Sequence, residues 1–407
     1  MSKINILVNP NDRAGSGKYR CIDPHVVLQN NHGEDFFVEI NHDVDFNNKE
    51  YLKKFQLFFF HRVPGGNYRQ AELIFDEIKA LGGKIVLDLD DYWSLDKSHG
   101  MYQQAKDGGY AKTIVNLVKK SDLVTVTTEI LQKEVLKHNK NCVVLANSLD
   151  PNEPQFTPKP QKSDKLRFGW LGGSSHLKDL ELIKGIPQTT TKHKDNIQFV
   201  LCGFDKRGKV RAFNKDTNQW MERDMQPLET NWFMYEIFMT NNFRLLEGDK
   251  DYITHLMKFD PNIKYDDKDK VYRRIWTKSI DSYAKGYNEF DIALAPLVDN
   301  TFNMYKSQLK VIEAGFHKKA IIAQNYGPYT IDLVSAINKG GTINNNGNSL
   351  LVETSKNHKQ WGKYANKLIE NPNMVEDLGE RLYETVKDRY NINNVTKDRA
   401  DIYKTLF

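Results

Sequence analysis

Cysteine is scarce in this chain and follows no pattern. Cys21, Cys142 and Cys202 are odd in number, far apart and outside any Cys-x-x-Cys arrangement, which excludes a disulfide framework and a zinc knuckle. They read as buried thiols in a reducing compartment. Long apolar runs are missing too. No stretch approaches the roughly 18 consecutive apolar residues of a spanning helix, and Met1-Ser2-Lys3 leads straight into a strand-like run from Ile4 to Val8 with no secretory signal. The expectation is a cytoplasmic protein with no membrane span. Nor is one sign of charge in large excess. Lys and Arg number 58 against 53 Asp and Glu, a net +5; up to residue 160 the chain holds 20 basic and 21 acidic residues, and beyond it 38 and 32. That falls short of the footprint of a dedicated nucleic-acid binder, yet suits a phosphate-bearing ligand held by the back half.

What is present is 407 residues, 39% hydrophobic and 11% aromatic, enough for two or three cored domains. Short runs rich in Val, Ile and Phe alternate with amphipathic stretches, the pattern of strand-helix units around parallel sheets, so the fold class is α/β. In the front half strands are expected at 4–8, 56–60, 84–88, 123–126 and 143–145, with helices at 70–81, 111–120 and 128–138. The segment 150–160, with Pro151, Pro154, Pro158 and Pro160, reads as a linker. Strands then recur at 166–171, 198–202, 291–295 and 320–323, interrupted from about 204 to 287 by a polar and aromatic insert and followed by a helical pattern over 375–390. The expected organisation is two tandem Rossmann-like domains, 1–155 and 156–385, with a deep cleft between them and a last helix within 386–407 returning to the first domain.

The most informative stretch runs from Asp291 to Tyr329. A buried strand delivers a polar loop, and Ser307 can cap a helix whose first-turn amides favour an anion. Lys306 and Lys310 flank that start as point charges for a diphosphate, and Glu313, about two turns in, can accept hydrogen bonds from vicinal hydroxyls. A lone glutamate on a helix is usually solvated, but Glu313 lies among Val311, Ile312 and Ala314. The run Lys306-Ser-x-Leu-Lys-x-x-Glu-Ala314, followed by a strand and a Gly-Pro turn, resembles the nucleotide-binding core of two-domain GT-B glycosyltransferases, especially the retaining Glu-x7-Glu (family 4-like) group. In that family the second glutamate, matched by Glu313, binds the ribose. The first would fall on Tyr305, so Phe302, Asn303 and Lys306 are the candidates to replace its contact with the donor sugar. The run from Phe168 to His176 resembles the strand and glycine turn that opens the family's donor domain, which implies donor contacts at Gly172, Gly173 and His176. Gly347-Asn-Ser-Leu-Leu-Val352 resembles a further family element. The resemblance implies a nucleotide-diphosphate sugar as co-substrate, no metal requirement and retention of anomeric configuration.

In the front half, Gly15-Ser-Gly17-Lys18 follows the first strand but fails the P-loop spacing, because Asp12 and Tyr19 stand where Gly and Ser or Thr are needed. In GT-B enzymes a glycine-rich loop here lies against donor phosphate or acceptor, which implies acceptor-side roles for Gly15, Gly17 and Arg20. Arg62, after the Phe58-Phe59-Phe60 strand, adds a further cation or caps the strand end. Asp88-x-Asp90-Asp91, with Asp96 and His99 close behind, crowds carboxylates where like charge should displace at least one pKa. Asp90, Asp91 and His99 form the candidate catalytic set, with Asp91 or His99 as positioner or base for the acceptor. Asp88-x-Asp90 also mimics the metal-binding Asp-x-Asp of single-domain GT-A enzymes, against which the second α/β half with its own phosphate site argues.

The acceptor is least legible. Lys206, Arg207, Lys209, Arg211, Trp220, Arg273, Arg274 and Trp276 in the insert could stack on sugars or bases and touch phosphates, or simply pack. The Lys-, Asn- and Asp-rich style, and the run Glu-Ala-Gly-Phe-His-Lys-Lys319, look like glycosyltransferases of large tailed bacteriophages. That likeness implies a hydroxymethylated pyrimidine in duplex DNA as acceptor, with action in the host cytoplasm; a lipopolysaccharide or other glycan is the alternative. A non-catalytic binder of sugar nucleotides or carbohydrates would keep the same fold.

Overall fold

The computed structural model describes residues 3–13, 15–97, 99–214, 217–354 and 358–407. The chain divides into two compact units, one of residues 1–153, 299–312 and 385–407, the other of 154–298 and 313–384.

In the first unit β1 (Ile4–Asn9), β2 (Phe36–Ile40), β3 (Leu57–His61), β4 (Lys84–Leu89), β5 (Leu123–Val126) and β6 (Cys142–Val144) form one parallel sheet in the order β2-β1-β3-β4-β5-β6. Phe58, Phe59 and Phe60 are all buried, because a parallel sheet covered on both faces takes continuous apolar runs. The chain leaves β1 for a neighbour on one side and returns on the other as β3, which makes the carboxyl end of β1 a topological switch point. The strands and helices expected in this half recur close to their expected bounds, with helices at Ala71–Ala80, Tyr110–Lys120 and Glu129–Val135. β2 escapes the apolar-run criterion because it is an edge strand in which only Phe36 is buried. The helix Ile392–Lys404 packs on the helix Asp23–Asn31, placing Ala400 and Tyr403 in the core beside Phe36 and Phe59.

The second unit contains β7 (Leu166–Leu171), β8 (Ile197–Phe204), β9 (Lys209–Asn214), β10 (Gln219–Asp224), β11 (Tyr272–Trp276), β12 (Ile292–Ala295), β13 (Ala320–Gln324) and β14 (Leu350–Val352). Six of them form a parallel sheet in the order β11-β8-β7-β12-β13-β14, while β9 and β10 pair as an antiparallel hairpin. The stretch expected as an insert thus supplies an edge strand, β11, together with the helices Asn231–Met239 and Lys250–Met257. Its aromatics divide: Trp232 and Tyr235 join Trp170 and Phe204 in the core, whereas Trp220 on β10 is 62% exposed. Arg274 is buried, its guanidinium forked onto Glu236 at 2.7 and 2.6 Å and lying over the Phe204 ring. It packs rather than touching phosphate, since a charge at that depth persists only when paired. The proline-rich segment is not a free tether beyond residue 154. Gln155 and Phe156 are buried, and Lys159 N donates to Asn288 Oδ1 at 2.9 Å. Among the described residues no helix is long and apolar enough to cross a membrane.

Candidate functional site

In the first unit the loop after β1 and the ends of β3 and β4 carry a connected polar cluster. Asp90 accepts on Oδ1 from His61 Nε2 (2.9 Å) and from Arg62 Nε and Nη2 (2.9 and 2.7 Å), and on Oδ2 from Ser16 Oγ (2.6 Å). Burial by itself would raise this carboxyl, but Arg62, His61 and their hydrogen bonds prevail and hold it well below the usual carboxylate range. Asp91 moves the other way. Burial and the charge on Asp90 push it up, against the pull of Arg62, whose Nη2 lies 3.0 Å away, and of Lys306. Adjacent carboxyls driven apart in this way divide their roles: one stays an anion, the other can exchange a proton nearer neutrality. Arg62 itself stands at φ 62°, a left-handed conformation unfavourable for a residue with a side chain, and its bonds to both carboxylates hold it there.

Asp88 is fully buried and takes Arg20 Nε at 2.9 Å, Arg20 Nη2 at 2.6 Å and Thr125 Oγ1 at 2.5 Å. Arg20 Nη1 also donates to Leu145 O (2.7 Å) and Asn147 Oδ1 (3.2 Å). Arg20 is therefore a buried brace at the sheet end and not the acceptor-facing cation expected, because a guanidinium this deep must spend its donors on protein acceptors. The same geometry fills the Asp88-x-Asp90 pair with protein cations and hydroxyls. The two loop glycines differ: a side chain on Gly17 would meet Asp12 O at 2.0 Å, while Gly15 has open space, and Ser16 between them is pinned to Asp90.

The segment 299–312 carries four expected residues, Asn303, Lys306, Ser307 and Lys310, and through Phe302 and Lys306 it reaches His99 and Asp91. His99 packs edge-on against Phe302 (ring centroids 5.6 Å apart), and Lys306 Nζ lies 5.2 Å from the same ring. His99 Nδ1 accepts from Met101 N at 3.1 Å, which assigns the neutral ring's proton to Nε2. Burial and then Lys306 lower the His99 pKa. Asn303 is buried in the turn Thr301–Met304, its amide capped by Asn300 Oδ1 at 2.8 Å. Tyr305 stacks on Tyr92 (4.6 Å) and donates to Glu134 Oε2 at 3.1 Å. Ser307 is not the helix cap. The helix Leu309–Phe316 starts two residues later, Gln308 O accepts from Ile312 N at 3.1 Å, and Ser307 Oγ accepts from Asn147 Nδ2 at 3.0 Å. Lys310 sits on the first turn of that helix.

In the second unit β7 turns through Gly172 and Gly173. His176 Nδ1 lies 2.8 Å from Asp179 Oδ2, and Asp179 Oδ1 accepts from Val298 N at 2.8 Å. The turn is also held from the supposed insert: Tyr235 Oη accepts from His176 N (2.9 Å) and donates to Ser174 O (2.8 Å), and Asn231 Nδ2 donates to Ser174 O (2.7 Å). Gly203, at φ 99°, allows close approach, since a side chain there would meet Gly172 O at 2.6 Å. Glu313 is 2% exposed and accepts from Tyr287 Oη at 3.0 Å and from Tyr283 Oη. Sequence reasoning missed Asn147, Tyr235, Tyr283 and Tyr287. The spacing of the last pair, four residues apart, was the one available signal, and it lay inside a stretch with no clear register.

No family model matches this chain, and neither does any curated protein. Solved structures do match it. HepE of Anabaena, solved with UDP and glucose, aligns with a TM-score of 0.60 at 10% identity over 99% of each chain. The fold is GT-B. A glycosyltransferase from Rickettsia africae aligns at 0.60 and 11% identity over 100% of this chain and 99% of its own. TarM of S. aureus, solved with fondaparinux, α-GlcNAc-glycerol and UDP, aligns at 0.54 and 12% identity over 87% of this chain and 58% of its own. These GT-B neighbours are glycosyltransferases, and at such identities the likeness speaks for architecture: two Rossmann-like domains, each built on a parallel sheet.

Proposed function

We propose that this chain is a nucleotide-sugar-dependent glycosyltransferase. The observation that carries the reading is the stretch from Lys306 to Glu313, in which two lysines and a serine hydroxyl accompany a helix start, and a buried carboxylate within that helix is held by tyrosine hydroxyls. The cations and helix start suit a diphosphate, and the carboxylate suits the ribose diol. HepE, TarM and the pneumococcal O-GlcNAc transferase GtfA were solved with UDP, which supports a uridine donor. Cleaving the anomeric bond passes through an oxocarbenium-like state, so cations must take up charge on the departing diphosphate. Lys306 and Lys310 fill that role. Asp91 positions the acceptor hydroxyl or takes its proton, with His99 beside it and Asp90 as the fixed anion. The outcome is retention, with the leaving phosphate able to receive the acceptor proton; the chemistry requires no metal, and the sugar is a hexose or a pentose.

The acceptor proposed is a hydroxymethylated pyrimidine of phage DNA, modified in the host cytoplasm. A glycan hydroxyl is the second reading, favoured by the TarM complex with glycan ligands. A thermal-shift screen of nucleotide sugars, followed by transfer onto duplex DNA with and without hydroxymethylcytosine and onto glycans, tests both. Stabilisation by one donor together with transfer supports the proposal. Stabilisation with neither donor hydrolysis nor transfer would reduce the protein to a sugar-nucleotide binder, and no stabilisation by any donor would refute the site.

A further inference from the structure

Glu313 has two hydroxyl partners that are not alike. Tyr287 is buried, its ring stacked on His317 (centroids 5.2 Å apart) and packed on Phe290 (5.3 Å), and the turn beneath it is tight, since a side chain on Gly286 would meet Leu171 Cδ1 at 2.4 Å. Its hydroxyl on Glu313 Oε2 is a fixed part of the structure. Tyr283 is the first residue of the same short helical turn, Tyr283–Glu289, remains partly exposed, and places its hydroxyl on the other oxygen, Oε1. Each oxygen of one buried carboxylate thus receives a separate hydroxyl, which is how a vicinal diol would engage it.

We propose that the Tyr283 hydroxyl stands in for a ligand hydroxyl on Glu313, so that a nucleotide binds by displacing it and Tyr283 sets nucleotide affinity through competition. This inference rests on the reading of Glu313 as the ribose-binding carboxylate. A carboxylate at 2% exposure needs hydrogen-bond donors whether or not a ligand is present. Tyr283 supplies one, and its partly exposed position lets the hydroxyl exchange to water when a ribose arrives. Tyr287, locked by its stacking, cannot exchange in this way and supports Glu313 in both states.

The test is calorimetric titration of UDP, and in parallel 2′,3′-dideoxy-UDP, into the wild type and the variants Tyr283→Phe, Tyr287→Phe and Glu313→Gln. Tyr283→Phe is expected to bind UDP about three- to tenfold more tightly, the scale of one hydrogen bond no longer displaced, with no gain for the dideoxy nucleotide, which lacks the diol. Tyr287→Phe is expected to weaken UDP binding. If Tyr283→Phe binds UDP no better than wild type while Glu313→Gln weakens it, the ribose reading stands and the competition is overturned. An equal gain for the dideoxy nucleotide also overturns it. Unchanged UDP affinity in Glu313→Gln removes the ribose reading itself.

Discussion

Arg62 allows two physical effects to be separated in one residue. Its guanidinium makes three charge-assisted bonds to Asp90 and Asp91 while its backbone stands at φ 62°. Arg62→Ala removes the bonds and keeps a side chain in the left-handed region; Arg62→Gly removes the same bonds and relieves the backbone. Charge-assisted bonds contribute roughly 1.5–3 kcal/mol each, but the Arg62 side chain is 33% exposed and Asp90 keeps His61 and Ser16. A total loss of about 2 kcal/mol is therefore expected for Arg62→Ala after allowing for solvent screening. Left-handed strain of roughly 1–2 kcal/mol, set against the greater unfolded-chain freedom of glycine, should leave Arg62→Gly about 0.5–1 kcal/mol more stable than Arg62→Ala. Urea unfolding of the pair measures the difference, and equal stability would refute the strain argument. Both variants also remove the cation that opposes the upward displacement of Asp91, so this carboxyl should rise further. Because Asp91 must be ionised to accept a proton, the acid limb of kcat/KM should move to higher pH in both variants, and a limb that stays in place would remove Asp91 as the base.

Three further outcomes follow from the geometry. Arg20→Met, which leaves Asp88 buried and without its guanidinium, should cost about 3–5 kcal/mol in urea unfolding, and the double variant with Asp88→Leu should recover much of it. His317 is lowered to about 3 by burial and then by Lys319, and His25 is lowered well below its ordinary value by burial and then by Arg399. Both bind fewer protons when folded, so the stability they contribute is fully present above about pH 6.5 and is lost as pH falls below it, for His317 down to about pH 3, by up to about 1.4 kcal/mol per pH unit. Unfolding free energy measured from pH 7.5 to 4.5 should fall less steeply in His317→Leu than in the wild type, and equal slopes would contradict a neutral buried His317. Tyr235→Phe removes the hydroxyl that joins His176 N to Ser174 O; it should lower stability by about 1 kcal/mol and raise donor KM with little change in kcat, which steady-state kinetics would show.

The elements easiest to read were those whose signal is local. The Phe58-Phe59-Phe60 strand and the glycine turn after β7 were legible because a doubly covered parallel strand demands an unbroken apolar run and a sharp turn favours glycine. β2 and β11 were not. The first is an edge strand buried mainly at Phe36, and the second has Arg273 and Arg274 at its centre, where charge conceals a strand that burial and Glu236 sustain. Asp90, Asp91 and His99 were visible as a dense acidic cluster with an imidazole, but the opposite displacements of Asp90 and Asp91 and the lowering of His99 were not, since these depend on Arg62, Lys306 and Ser16 arriving from elsewhere.

By itself, then, the sequence determined the alternation of strands and helices and the glycine turns, because each follows from neighbours a few residues apart. Only the tertiary structure decided how the charges and hydroxyls are employed. Arg20 meets Asp88 across 68 positions, Asn147 meets Ser307 across 160, and Tyr283 meets Glu313 across 30. A buried polar group must find a partner wherever the fold brings one, and short-range spacing holds no record of such distant pairings.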